Sequence, residues 1–178
     1  MVQRYVSYWL VPAAAERAVL QDLITTLARR YSAPTFVPHV TLYAGESPPD
    51  ERPLELMAQV LHAVHVVQLQ VDRILYTAEF TKTLFVQLHP SPVLSQLTDA
   101  LRHLSAMPSA YVLNPHLSLL YTPMGESEQR HLAETISLSL STVLCDAVWA
   151  IASSGVTRTA ADVTQWEVVG CQPLQPVP

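Results

Sequence analysis

The sequence predicts an α+β fold of two lobes, each an antiparallel sheet with helices on its outside, facing one another across a central cleft. Three observations carry this reading. Strand-like and helix-like periodicities alternate along the chain, their order occurs twice, and the spacings within the two passes nearly coincide.

In the first pass, Tyr5 to Val11 reads as a strand, and Ala13 to Tyr31 carries Val19, Leu20, Leu23, Ile24 and Leu27 at helical spacing. Pro34 and Pro38 bracket a loop before a short strand, His39 to Tyr43. A helix from Leu54 to Val64 and a strand from Val67 to Leu75 follow. The second pass reads as strand Thr83 to Leu88, helix Pro92 to Ser105 with proline at its start, loop, strand His116 to Tyr121, helix Glu126 to Leu140 and strand Val143 to Ala152.

From the first strand to its histidine the two passes count 34 and 33 residues, and from histidine to the closing strand 28 and 27. An internal duplication over about 5–75 and 83–152 is therefore expected, within one bilobal domain spanning 1–178. The last strand, Trp166 to Cys171, lies outside the repeat and must complete a sheet.

Composition narrows the function. With 49% hydrophobic and 14% charged residues, the chain has apolar surface for a real core. No apolar stretch approaches the roughly 20 residues of a membrane helix, and the N-terminus reads directly into a strand with no export signal, so a cytoplasmic, membrane-free monomer is expected. Ten Lys+Arg against fifteen Asp+Glu, without a basic run, disfavour long nucleic acid but suit a small anionic ligand held by amides, hydroxyls and imidazoles.

His-x-Thr/Ser occurs four times where composition alone would give about one. Strand geometry separates the four, because residues i and i+2 share a face only in extended chain. His103 and Ser105 fall in a helix, and His89 precedes Pro90, where a strand is ending. Only His39 with Thr41 and His116 with Ser118 lie in strands at equivalent points, in matching contexts Pro38-His39-Val40-Thr41-Leu42-Tyr43 and Pro115-His116-Leu117-Ser118-Leu119-Leu120-Tyr121.

Two imidazoles facing across a cleft form an acid-base pair. One deprotonates water and the other protonates the leaving sugar oxygen of a cyclic phosphodiester, while the hydroxyls of Thr41 and Ser118 donate to its non-bridging oxygens.

These passages resemble the two signatures of the 2H phosphoesterase superfamily, in particular its cyclic phosphodiesterase branch, related to the 2'-5' RNA ligase-like proteins. The likeness runs from Ser7, Trp9 and Pro12 to Trp166, Glu167 and Val168. The resemblance implies a LigT-like bilobal fold and metal-independent hydrolysis without a cofactor. The implied substrates are ADP-ribose 1'',2''-cyclic phosphate and nucleoside 2',3'-cyclic phosphates, the latter giving 2'-phosphates. It also places a tyrosine in the site at Tyr121, although strict alternation from Ser118 turns that residue to the other face unless the strand ends or bulges.

The segment around Ile74 to Phe85 matches no ligand-contacting pattern. Trp9 is a candidate for stacking on a nucleobase, with a core role as the alternative. His62, His65 and His131 read as solvated, and Cys145 and Cys171 as small buried apolar side chains. No ligand set with metal spacing occurs. The competing functions are RNA-end processing, which a basic groove would favour, and a nucleotide-binding module without catalysis, which loss of either histidine would signal.

Overall fold

The computed structural model describes residues 4–177; the expectations for residues 1–3 and 178 lie outside that range. Strand β1 (Arg4–Pro12) leads into helix α1 (Ala14–Tyr31), which buries Leu20, Ile24, Leu27 and Ala28 along one stripe. Ser32 ends the helix in the left-handed region at φ 50°, its N–H donating to the carbonyl of Ala28. Strand β2 (Val40–Ser47), helix α2 (Pro53–Leu61) and strand β3 (Val67–Leu75) complete the first pass.

The second pass runs through β4 (Leu84–Leu88), α3 (Pro92–Leu104), β5 (His116–Leu120), α4 (Glu126–Thr135) and β6 (Thr142–Ser153). A one-turn helix, α5 (Ala160–Val163), closed by a Thr159/Asp162 capping box, precedes β7 (Glu167–Pro173). Proline stands at the start of both α2 and α3, where its missing N–H would have been unpaired anyway.

The strands form one continuous seven-stranded array in the order β2-β1-β6-β3-β4-β5, with β7 also on β6. All pairings between these strands are antiparallel. The two sheets of the expected architecture are its wings, β2-β1-β6-β7 and β3-β4-β5. They join where Val67 to Gln70 of β3 pair with Cys145 to Thr142 of β6. Buried Leu, Val and Ile from both wings and from α1, α2 and α3 share one apolar core. At Gly170 of β7, a Cβ would meet Leu54 Cδ2 at 2.8 Å, so a larger residue there would have to displace the Leu54 side chain of α2.

Three expectations need correction. Helix α4 stops at Thr135, not Leu140. Residues Ile136, Ser137, Leu138, Ser139 and Leu140 alternate between half-buried and exposed, a period of two that suits extended chain, and the three apolar ones pack on the core. Strand β2 starts one residue after His39 and runs on to Ser47. Cys145 is buried as expected, but Cys171 is exposed. Its neighbour Gly170 faces α2, so Cys171 points to the uncovered face of β7.

Candidate active site

Each motif is built by the same local device. Val37 and Asn114 each stand before a proline, which biases them to extended backbone. Their carbonyls lie 2.6 Å from Nδ1 of His39 and of His116, two residues on. A carbonyl only accepts, so Nδ1 carries the proton in both rings and the neutral imidazole keeps Nε2 as its free basic nitrogen.

Beyond the histidines, both motif strands bulge at the same place. In the β1–β2 ladder Tyr8 faces Tyr43 and Trp9 faces Thr41, leaving Leu42 as the extra residue. In the β4–β5 ladder Leu84 faces Leu120 and Phe85 faces Ser118, leaving Leu119 as the extra residue. Each bulge follows the hydroxyl residue and shifts the alternation by one. Residues three apart thereby reach the same cleft: Thr41 with Ala44, and Ser118 with Tyr121. That is how Tyr121 enters the site against simple alternation, β5 having also ended at Leu120.

All six residues expected from the sequence, His39, His116, Thr41, Ser118, Tyr121 and Trp9, line a single cavity of about 320 Å³. Neither His89 nor His103 does, and both are exposed, as are His62, His65 and His131.

Around His39 the wall is aromatic. Trp9 lies flat on its ring at 3.5 Å, Trp166 stands edge-on at 6.1 Å, and Phe36 stacks on Tyr121 at 3.9 Å. Trp9 is buried, and one face of its indole is covered by the imidazole rather than open to a base.

Burial dominates the electrostatics. His39 is only 7% exposed, and desolvation pulls its pKa from 6.5 to about 3, partly offset by the Val37 carbonyl and reinforced by a neighbouring charge on His116. His116 is also lowered, first by burial, against the Asn114 carbonyl; Lys82 lowers it further and Glu79 acts the other way. Burial keeps the Tyr121 hydroxyl protonated. In the free protein burial disfavours the charged form of both imidazoles, and a bound anion would offset that cost.

The two hydroxyls differ. Ser118 donates to the carbonyl of Thr81 at 2.7 Å. The Thr41 side chain has no hydrogen-bond partner among the described residues, while its carbonyl accepts from the Tyr111 hydroxyl at 2.9 Å.

The segment Ile74 to Phe85, which the sequence left unassigned, supplies Glu79, Thr81 and Lys82 to the cavity from a 3-10 turn at Phe80–Lys82. Tyr111, Val112 and Asn114 enter from the loop before β5. A signal for Lys82 was present in the sequence, since it is the one lysine among ten Lys+Arg.

The family model described as cyclic phosphodiesterase-like protein matches residues 5–174, nearly the whole chain and both motifs. The chain belongs to that family. The curated cyclic phosphodiesterase of Arabidopsis thaliana is 23% identical over 128 residues, covering 72% of this chain and 71% of the relative.

The fold is that of the LigT-like 2H phosphoesterases. Escherichia coli LigT in its apo form superposes with a TM-score of 0.62 at 15% identity, covering 97% of this chain and 98% of LigT. LigT complexed with 3'-AMP gives 0.63 at 16%, with 97% and 99% covered. A protein of Thermus thermophilus gives 0.61 at 17%, with 98% and 100% covered. LigT has also been crystallised with phosphate, NADP+ and ATP.

Proposed function

We propose that this protein hydrolyses the cyclic phosphodiesters of small nucleotides by two-histidine acid-base catalysis, without metal or cofactor. The substrates in this reading are ADP-ribose 1'',2''-cyclic phosphate, opened to ADP-ribose 1''-phosphate, and nucleoside 2',3'-cyclic phosphates, opened to nucleoside 2'-phosphates. One observation carries it: two imidazoles share one cavity, each with Nδ1 tied to a backbone carbonyl and Nε2 left free. Family membership and the nucleotides bound by LigT support the same substrate class.

In this mechanism His116 takes a proton from water through Nε2, and the water oxygen bonds to phosphorus. The bond from phosphorus to the departing sugar oxygen, the 3' oxygen in a 2',3'-cyclic phosphate, breaks, and that oxygen takes a proton from Nε2 of His39. The resting state is regained when His116 gives up the proton it gained and His39 recovers the one it lost. Thr41 donates to one non-bridging oxygen, and Ser118 donates to the other once its single hydroxyl proton turns from the Thr81 carbonyl.

Two surroundings favour this division of labour. The Trp9 indole face stabilises a charged His39, and at His116 the positive charge of Lys82 disfavours protonation to the extent that Glu79, which acts the other way, does not cancel it. The substrate's own negative charge offsets the burial that keeps His39 neutral in the free protein.

The repeated order β-α-β-α-β and its paired bulges support an internal duplication, one domain with a pseudo-twofold cleft. A cavity of about 320 Å³ lies at the small end of ligand pockets and suits one nucleotide.

The deciding experiment is a substrate panel with products identified: ADP-ribose cyclic phosphate, 2',3'-cyclic mononucleotides and a ten-nucleotide RNA with a cyclic end. Turnover of the small substrates at least as efficient as of the oligomer supports the proposal. Preference for the oligomer that weakens steeply with salt, as release of several counterions would make it, transfers the activity to RNA ends. No turnover of any of them would overturn the catalytic reading.

A further inference from the structure

The only lysine of the chain lies in the cleft, and it is the only Lys or Arg lining the cavity among the described residues. Lys82 Nζ sits 2.9 Å from Glu79 Oε2, and both charges are felt at His116. The backbone beneath it is fixed on three sides. The Lys82 carbonyl accepts from the Thr77 N–H at 3.0 Å and the Thr77 hydroxyl at 2.9 Å. Thr83 donates to the Thr122 carbonyl at 2.8 Å, and the Thr81 carbonyl receives the Ser118 hydroxyl. A rigid turn thus presents a flexible ammonium beside the phosphate-binding hydroxyl of the second motif.

The ion pair itself is loosely held. The Glu79 side chain is 62% exposed and the Lys82 side chain 23%, and a pair with one partner in water contributes little, so its exchange for another anion costs little. A phosphodiester brings one negative charge and the monoester product approaches two, whereas the acid-base pair supplies one imidazolium.

We propose that Lys82 is the anion-binding residue of the cleft: its ammonium leaves Glu79 for a non-bridging oxygen of the substrate phosphate, and Glu79 is the built-in competitor that limits how tightly phosphate is held. The inference rests on the proposed reading of the cleft as a phosphodiesterase site. It gives Glu79 a purpose, because a free ammonium would bind the more highly charged product better than the substrate and slow its release.

The two partners then have opposite effects, which a merely structural ion pair would not show. Inorganic phosphate is the probe, titrated against the folded protein and followed by the imidazole NMR signals, so the readout does not depend on turnover. Lys82→Gln is expected to weaken phosphate binding roughly ten- to hundredfold, the worth of one charge-assisted hydrogen bond. Lys82→Arg should retain most of the affinity, and Glu79→Gln should tighten it several-fold.

With a substrate that the protein turns over, Glu79→Gln should also show stronger product inhibition. Equal weakening in Lys82→Gln and Glu79→Gln, or no change in either, would overturn the proposal. If Lys82→Gln fails to fold, Glu79→Gln decides alone: tighter binding supports the proposal and unchanged or weaker binding refutes it. Failure of the protein to open cyclic phosphates would count against the proposed reaction and leave the phosphate titration standing.

Discussion

The indole of Trp9 lies flat against the imidazole of His39, centroids 3.5 Å apart and planes 6° from parallel, with Trp166 edge-on to both rings. An aromatic face in that position both fixes the ring and favours its charged form. Trp9→Leu is expected to lower kcat roughly tenfold or more through misplacement of the acid. It should also move the limb of the pH profile that reports protonated His39 to lower pH, while Trp9→Phe preserves most of both. A loss of kcat with an unmoved pH profile would show that Trp9 only packs.

Replacing either His39 or His116 by alanine should reduce turnover about 10²- to 10⁴-fold, the usual worth of one acid-base group. The exposed His89 and His103, which carry the same tripeptide outside the cleft, are the controls, and alanine there should leave turnover unchanged. Comparable losses at His103 and His116 in folded proteins would contradict the assignment.

The depressed imidazoles make two pH effects separable. In the free protein burial opposes protonation of both rings, so kcat/KM should peak at lower pH than kcat, which is measured with the anion bound. Coincident optima would contradict this.

Stability follows its own sign. The unfolded chain binds a proton at His39 near pH 6.5, whereas the folded protein resists until about pH 3, so this contribution is complete above 6.5 and is lost progressively as pH falls between those values. The Tm of His39→Gln should therefore fall less between neutral and acid pH than that of the unsubstituted protein.

Thr41 and Ser118 should part company when truncated. Thr41→Val removes a hydroxyl with no internal partner among the described residues, so stability should stay within about 0.5 kcal/mol while kcat/KM drops about tenfold or more. Ser118→Ala additionally strips the Thr81 carbonyl of its donor and should cost about 1 kcal/mol in a denaturant titration. The reverse ranking in stability would contradict this assignment of the two hydroxyls.

Activity should survive exhaustive chelation. The described residues contain no group of three or more His, Cys, Asp or Glu able to hold a metal ion, and the proposed proton transfers need none. Loss of turnover restored by zinc, magnesium or manganese would replace the mechanism.

The motif residues were legible in the sequence because extended chain converts a spacing of two into a shared face. The expected His39 to Tyr43 strand and the observed Val40–Ser47 differ by one residue at the start and mainly in where the strand ends. Tyr121 could not be placed by that rule, since a bulge at Leu119 is a property of two strands paired together and leaves no mark on one of them. Leu138 and Leu140 misled for a related reason: a short apolar run fits helix or extended chain, and packing against the core decided it. Lys82 carried a compositional signal but no motif, because its position depends on the turn between β3 and β4.

Strand β6 is clamped along both edges. β1 runs beside it on one side from Pro12 opposite Cys145 to Tyr5 opposite Ser153, while β3 and then β7 divide the other. That bracing lies within one wing; among the described residues the strands of the two wings meet only through the four pairs from Val67 opposite Cys145 to Gln70 opposite Thr142. The exposed Val112 and Val156 stand on separate loops at the rim of the cleft. A ligand held by both histidines would act as a second rivet across that short seam, tying wing to wing.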